Sequence, residues 1–204
     1  MLATELADFI APEIRTKLMV ENANPTERIN VRLKINFPRM KCEHLGIDIQ
    51  DDVHKIGIVA NIVKTPFGPG NKSCRFESSF HIHKVPGKFR VSTHSASALD
   101  FSHIISELSF GSQVRKINSK GIGSYNTLGD RGNTRPSNGL ESYDYAIRLV
   151  PTTYQDVNGR EIMTAYQYTY AFHSFTSSNG VPALWFQYDP VSYTHLPLPT
   201  NREV

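Results

Sequence analysis

An all-β fold, an antiparallel β-sandwich with one or two short helices, is what three features of this sequence predict. Ile29, Val31, Leu33, Ile35 and Phe37 alternate with polar or charged neighbours. The same period of two recurs in Leu45 to Ile49, Tyr143 to Leu149 and Tyr166 to Phe172, and turn signals such as Pro86-Gly87 and Asn158-Gly159 separate the runs. Successive side chains of a strand point to opposite faces, so such alternation marks a sheet with one buried side. A chain of 204 residues that is 39% hydrophobic and 20% charged can bury a sizeable core, with a single domain as the default.

In chain order, Leu2, Leu6, Phe9 and Ile10 fall at helical spacing before Pro12 ends the pattern. Ile14 to Val20 alternates as a strand, Asn22 to Pro25 turns the chain, and Ile29 to Phe37 returns, which predicts a hairpin with Arg32 and Lys34 on its outer face. Leu45 to Ile49 and Lys55 to Val63 follow as strands, and Pro66-Phe67-Gly68-Pro69-Gly70 reads as loop because proline and glycine interrupt ladders. Phe76, Phe80 and Ile82 then face one way while Arg75, Glu77, Ser79, His81 and His83 face the other. Pro86 supplies a fixed φ and Gly87 a positive one for a turn, so Lys88 to Val91 is expected as the partner strand.

Phe101, Ile104, Ile105 and Leu108 fall at i, i+3, i+4 and i+7, the stripe of a short helix capped by Asp100 or Ser102 and ended by Gly111. Gln113 to Leu140, rich in Gly, Ser and Asn, reads as a surface loop. Its Gly121-Ile122-Gly123 and Gly129-Asp130-Arg131-Gly132 turns lack the spacing of a phosphate-binding loop. Tyr143 to Leu149 resumes a strand up to Pro151, and Asn158-Gly159 favours a tight hairpin. Tyr166, Tyr168, Tyr170 and Phe172 form an aromatic stripe suited to sheet packing. Leu184, Phe186 and Tyr188 make the last strand, with Trp185 opposite.

Little in this pattern points to covalent chemistry. The net charge is +3, and the crowd of Arg28, Arg32, Lys34, Arg39 and Lys41 is diluted by Glu27, Glu43 and Asp48 without an RNA-binding aromatic signature, so no nucleic acid is expected. His81 and His83 share a face, but a zinc site wants three or four ligands, so no metal or other cofactor is assigned. Ser102 beside His103 lacks the glycine-flanked elbow of a serine nucleophile. Cys42 and Cys74 are too far apart for a Cys-x-x-Cys redox motif, and the sequence alone leaves them reduced or paired. Asn71-Lys72-Ser73 is the one glycosylation sequon whose middle residue is not proline. No run approaches the roughly 18 to 20 apolar residues of a membrane span, and Met1 is followed by Thr4, Glu5 and Asp8, unlike a secretory leader.

The residues Cys74-Arg75, Pro86-Gly87, Phe101-Ser102-His103 and Leu108-Ser109-Phe110-Gly111 resemble the luminal domain of the endoplasmic reticulum vesicle transporter family. These are cargo receptors that cycle between the ER and the Golgi intermediate compartment. The likeness extends to Phe37-Pro38 and Cys42, and through Tyr143 to Pro151 and Gly180 to Pro190. It implies residues 1–190 as a luminal sandwich, a fragment without its flanking membrane helices, and 191–204 as a disordered tail foreign to the gene.

The likeness also implies a Cys42–Cys74 disulfide, which an oxidising lumen favours, and a glycan on Asn71. It further implies cargo proteins and a related receptor subunit as partners in a hetero-oligomer, vesicle coats bound through cytosolic tails, a membrane reached through the flanking helices, and no enzymatic activity. Receptors that bind in an acidic compartment and release at neutral pH need a group titrating between, a role open to His81, His83 and His94. The alternative is the substrate-binding portion of a membrane-anchored protein disulfide isomerase whose thioredoxin domain lies elsewhere. A further one is a carbohydrate-binding sandwich using Tyr166, Tyr168, Tyr170 and Trp185.

Overall fold

Residues 27–51, 61–93, 100–112, 125–136, 141–155, 159–176 and 181–191 are described in the computed structural model of the chain, and all lie in one unit, Ala23–Val191. The predicted helix at Leu2 to Ile10, the strand at Ile14 to Val20, His94 and the tail from 192 fall outside them. Described strands are β1 (Arg28–Phe37), β2 (Leu45–Asp51), β3 (Asn61–Phe67), β4 (Ser73–His83), β5 (Gly87–Thr93), β6 (His103–Gly111), β7 (Arg131–Asn133), β8 (Glu141–Gln155), β9 (Glu161–Thr176) and β10 (Ala183–Pro190). The all-β expectation holds, and the helices among the described residues are two 3-10 turns, Cys42–His44 and Pro69–Asn71.

The strands join in the order β2-β5-β10-β8-β9-β6-β1-β4-β3, with β7 beside β6. Between β9 and β6 the join is two residue pairs, Phe110 with Tyr166 and Gly111 with Ala165. That narrow seam lets the sheet fold over. Phe80 of β4 packs on Phe89 of β5 at 5.1 Å, and His103 of β6 meets Tyr143 and Tyr145 of β8 at 5.1 and 5.7 Å, although none of these strands are sheet neighbours. The five-stranded half β2 to β9 and the half β6-β1-β4-β3 therefore face each other over one apolar cluster, an arrangement compatible with a sandwich. One pair departs from antiparallel order, since β10 runs parallel to β8.

Several expected pairings are corrected. β1 bonds β4 on one edge and β6 on the other over residues 31–36, so the hairpin with Ile14 to Val20 is not formed there. Nor do β4 and β5 pair. β4 lies between β1 and β3 while β5 lies between β2 and β10, so Pro86-Gly87 carries the chain from one half to the other. Gly87 does not take a positive φ. Its need is for space, because a Cβ there would sit 2.7 Å from Tyr188 Cζ. Pro66 and Phe67 belong to β3 rather than to a loop, and the outermost strand tolerates a residue without an N–H.

The expected helix at Phe101 to Leu108 is strand β6. Lys34 pairs with Glu107 but Ile35 pairs with Ile105, leaving Ser106 as a bulge. His103 and Ile105 point inward before the bulge, and Leu108 and Phe110 after it, all fully or almost fully buried. The extra residue turns a period of two into one step of three, which imitates helical spacing. Asn126 holds the bulge by accepting from Leu108 N at 3.0 Å and donating to Ser106 O at 3.1 Å. The stretch 125–136 is thus no free surface loop. Leu128 is buried, its N–H donates to Tyr168 Oη at 3.0 Å, and β7 pairs with β6.

Candidate interaction surfaces

One end of the unit is closed by a clasp of motif residues. Cys74, the second residue of β4, pairs with Phe37 and is disulfide-bonded to Cys42, as the resemblance implied. Ser73 Oγ donates to Pro38 O at 2.7 Å, and Arg39 Nη1 donates to Ser102 Oγ and to Thr134 O, both at 3.1 Å. Asp100 accepts the Ser102 N–H at 2.9 Å and so fixes the entry into β6, not a helix. Arg75, on the outer face, donates to Asn36 Oδ1 at 3.3 Å. Gly111 (φ +83) ends β6 where β9 approaches, with Thr164 O at 3.1 Å from a would-be Cβ.

His103 is sealed inside this end. Its Nδ1 donates to Phe101 O at 2.8 Å, because a carbonyl can only accept, and Nε2 accepts from Tyr145 Oη at 2.8 Å. Burial pushes its pKa from 6.5 down to about 4, against a smaller upward pull from the Phe101 carbonyl. Burial likewise pushes the Tyr145 hydroxyl up. The pair Ser102 and His103 accordingly braces the core. Ser102 takes its hydrogen bond from Arg39, and His103 is neutral.

The outer face of β1 and β4 is basic. Arg28, Arg32 and Lys34 of β1 stand opposite His83, Ser79 and Glu77 of β4, Asn30 stands opposite His81, and Arg75 continues the row. Four cations meet two carboxylates, Glu77 and Glu107, and Glu107 is 3.0 Å from Lys34. His81 is exposed and His83 half-buried, sharing this face as predicted. Among the described residues no three potential metal ligands cluster.

The opposite outer face, on β5, β10, β8 and β9, was not singled out by the sequence. Ala146 and Ala171, paired across β8 and β9, floor a groove of about 1180 Å³ flanked by Lys88, Gln187, Arg148 and Asp189. Beside it Trp185 lies under Lys88 and Arg90, at 5.6 and 4.9 Å. Asp144 accepts from Gln187 Nε2 at 2.7 Å, and burial raises its pKa. The signal available in sequence was the outward parity of two exposed alanines among long polar side chains. Tyr166 and Tyr168 are buried in the core and Trp185 is on the other face, so the sugar-stacking surface is not assembled.

Comparison with known proteins places these observations in a family context. A family described as Endoplasmic reticulum vesicle transporter matches residues 60–195, and one described as Endoplasmic Reticulum-Golgi Intermediate Compartment (ERGIC) matches residues 1–56. Endoplasmic reticulum-Golgi intermediate compartment protein 1 of Danio rerio and that of Xenopus laevis are 38% and 40% identical over 218 residues, covering 99% of this chain and 73% of each relative. Protein disulfide-isomerase 5-4 of Arabidopsis thaliana is 28% identical over 137 residues, 59% of this chain and 28% of that protein. The crystal structure of Erv41p has a similar fold, with a TM-score of 0.66 at 18% identity over 84% of this chain and 93% of that one.

Proposed function

Because the chain belongs to the endoplasmic reticulum vesicle transporter family, we propose that it supplies the luminal body of a receptor that moves between ER and Golgi and holds cargo proteins without covalent chemistry. Residues 1–190 are assigned to that body, and a related subunit to its partner. No helix among the described residues is long and apolar enough to cross a membrane, which suits a luminal part.

The observation that carries the finer reading is the placement of His81 and His83 on a face already holding Arg28, Arg32, Lys34 and Arg75. Histidine is the side chain whose charge changes between about pH 5 and 8, which makes this face the candidate for pH-dependent binding. An acidic cargo surface is then held more tightly in the later, more acidic compartment and released on return. His81 is faced by Asn30 and His83 by Arg28 across β1, while Glu27 pairs with Lys84 just beyond the strand end. His94 joins the set on sequence grounds. The test is binding of purified acidic luminal proteins at about pH 6 and about pH 7, to wild type and to H81A, H83A and H94A. Tighter binding at the lower pH that weakens in at least one variant is expected. Identical pH dependence in all four removes the histidine role.

The isomerase reading has the likeness to the Arabidopsis protein in its favour. Cys42 and Cys74 are 32 residues apart and bonded to each other, so on that reading the redox chemistry belongs to a domain elsewhere in the protein. A thioredoxin-type domain in the full reading frame would revive it.

A further inference from the structure

We propose that Asn71 accepts an N-linked glycan only while the Cys42–Cys74 disulfide is open, so that closure of this bond sets the share of chains that carry the sugar. The inference rests on the luminal reading above. Transfer to a sequon requires the asparagine amide and the hydroxyl of the third residue on one accessible stretch. In the folded chain these two groups are separated in environment. Asn71 is exposed at the end of a 3-10 turn, with φ +54, while Ser73 is 8% exposed and its hydroxyl donates inward to Pro38 O at 2.7 Å.

The next residue is Cys74, fully buried and bonded to Cys42, and Phe37 pairs with it across the ladder. The serine hydrogen bond and the disulfide therefore shut the same junction. The partners of that junction, Phe37, Pro38, Cys42, Pro66 and Phe67, precede the sequon in the chain. Once residues 71–74 enter the lumen nothing further along the chain is needed to close it, and modification competes with closure from that moment.

The two competing steps balance as follows. In modification, Asn71 Nδ2 bonds to C1 of a lipid-pyrophosphate-linked oligosaccharide. The bond from C1 to the pyrophosphate oxygen breaks, the lipid pyrophosphate leaves, and the amide nitrogen gives up one proton. In closure, the two thiols of Cys42 and Cys74 lose two protons and two electrons to a disulfide-bearing luminal oxidant, which becomes a dithiol. An exposed turn accommodates the finished glycan, so a chain modified first can still fold.

The experiment expresses the full chain in secretory-competent cells and reads endoglycosidase-sensitive mobility shifts, with N71Q assigning the band. A reference site is made by R160T, which completes a sequon at Asn158, in the sequence between β8 and β9 and next to the exposed Gly159. Wild type is expected to be partly modified at Asn71. C42S/C74S should carry a severalfold larger modified share at Asn71 with the Asn158 site unchanged, and a pulse of reductant should raise wild type but not the double variant. Full modification of wild type, no rise in C42S/C74S, or an equal rise at both sites overturns the proposal while a filled Asn158 site leaves the luminal address standing. An Asn158 site that stays empty in every variant overturns the address itself and the proposal with it.

Discussion

Acid should weaken the fold through one residue, His103, because its ring is sealed in the core. Its folded pKa is about 4 against 6.5 for the free, solvent-exposed side chain, so the unfolded chain binds the proton more readily. The neutral imidazole's contribution is complete above the unfolded value and is lost as the pH falls from there toward the folded one. Linkage puts the loss at about 1 kcal/mol at pH 6, about 2 kcal/mol at pH 5 and about 3 kcal/mol at the acid limit. H103Q removes the titration while keeping an oxygen that can accept from Tyr145, at a constant packing cost.

Urea unfolding of both proteins at about pH 7.5 and about pH 5 separates the two effects, because other titrating groups cancel in the difference. Asp144 acts with the opposite sign, since its raised pKa favours the folded state at low pH, and it too is common to both proteins. The wild type should lose about 2 kcal/mol more than H103Q over this interval. Equal losses would mean that the ring is not sealed between Phe101 and Tyr145 as described.

Removing the disulfide with C42A/C74A opens a 32-residue loop and should cost about 3.5 kcal/mol, read as a urea midpoint lower by about 1.5 M; a loss below about 1 kcal/mol contradicts the chain-entropy account. G87A pushes a methyl group against the Tyr188 ring, 2.7 Å from Cζ, and should destabilise by about 1–3 kcal/mol. An unchanged midpoint would show that Tyr188 can move aside and that the glycine is dispensable.

What the sequence disclosed follows from how local each feature is. β1, β2, β4, β8 and β10 were legible because each has one face in the core, which writes a period of two into the residues. β6 was misread because its bulge at Ser106 inserts a step of three, and no local rule distinguishes that from a helix. The partners of β5 were missed for a different reason. Pro86-Gly87 has the chemistry of a tight turn, yet distant strands β2 and β10 outcompete β4 for its edges. Asn126 was invisible as a bulge partner, since a polar residue in a polar stretch carries no period. The burial of His103 could have been read from parity, two positions before Ile105, had the strand been recognised. The disulfide came from the family likeness, not from the spacing.

A distinction follows between what identifies this chain and what it touches. Six of the residues that carry the likeness, Cys74, Phe101, Ser102, His103, Leu108 and Phe110, are buried and lock the β1, β4 and β6 end of the core, while Arg75 and Pro86 are exposed. Buried groups stabilise a shape but meet no partner. Under the proposed function, contact falls to the outer sets, the basic row with His81 and His83 on one half and the alanine-floored groove beside Trp185 on the other. These sets lie on opposite halves of the sheet and point away from the core that the halves share, so a surface substitution in one makes no contact with the other. A body built this way can vary either outer face while the clasp at its end keeps the same core, the separation of scaffold from recognition that the proposed receptor role calls for.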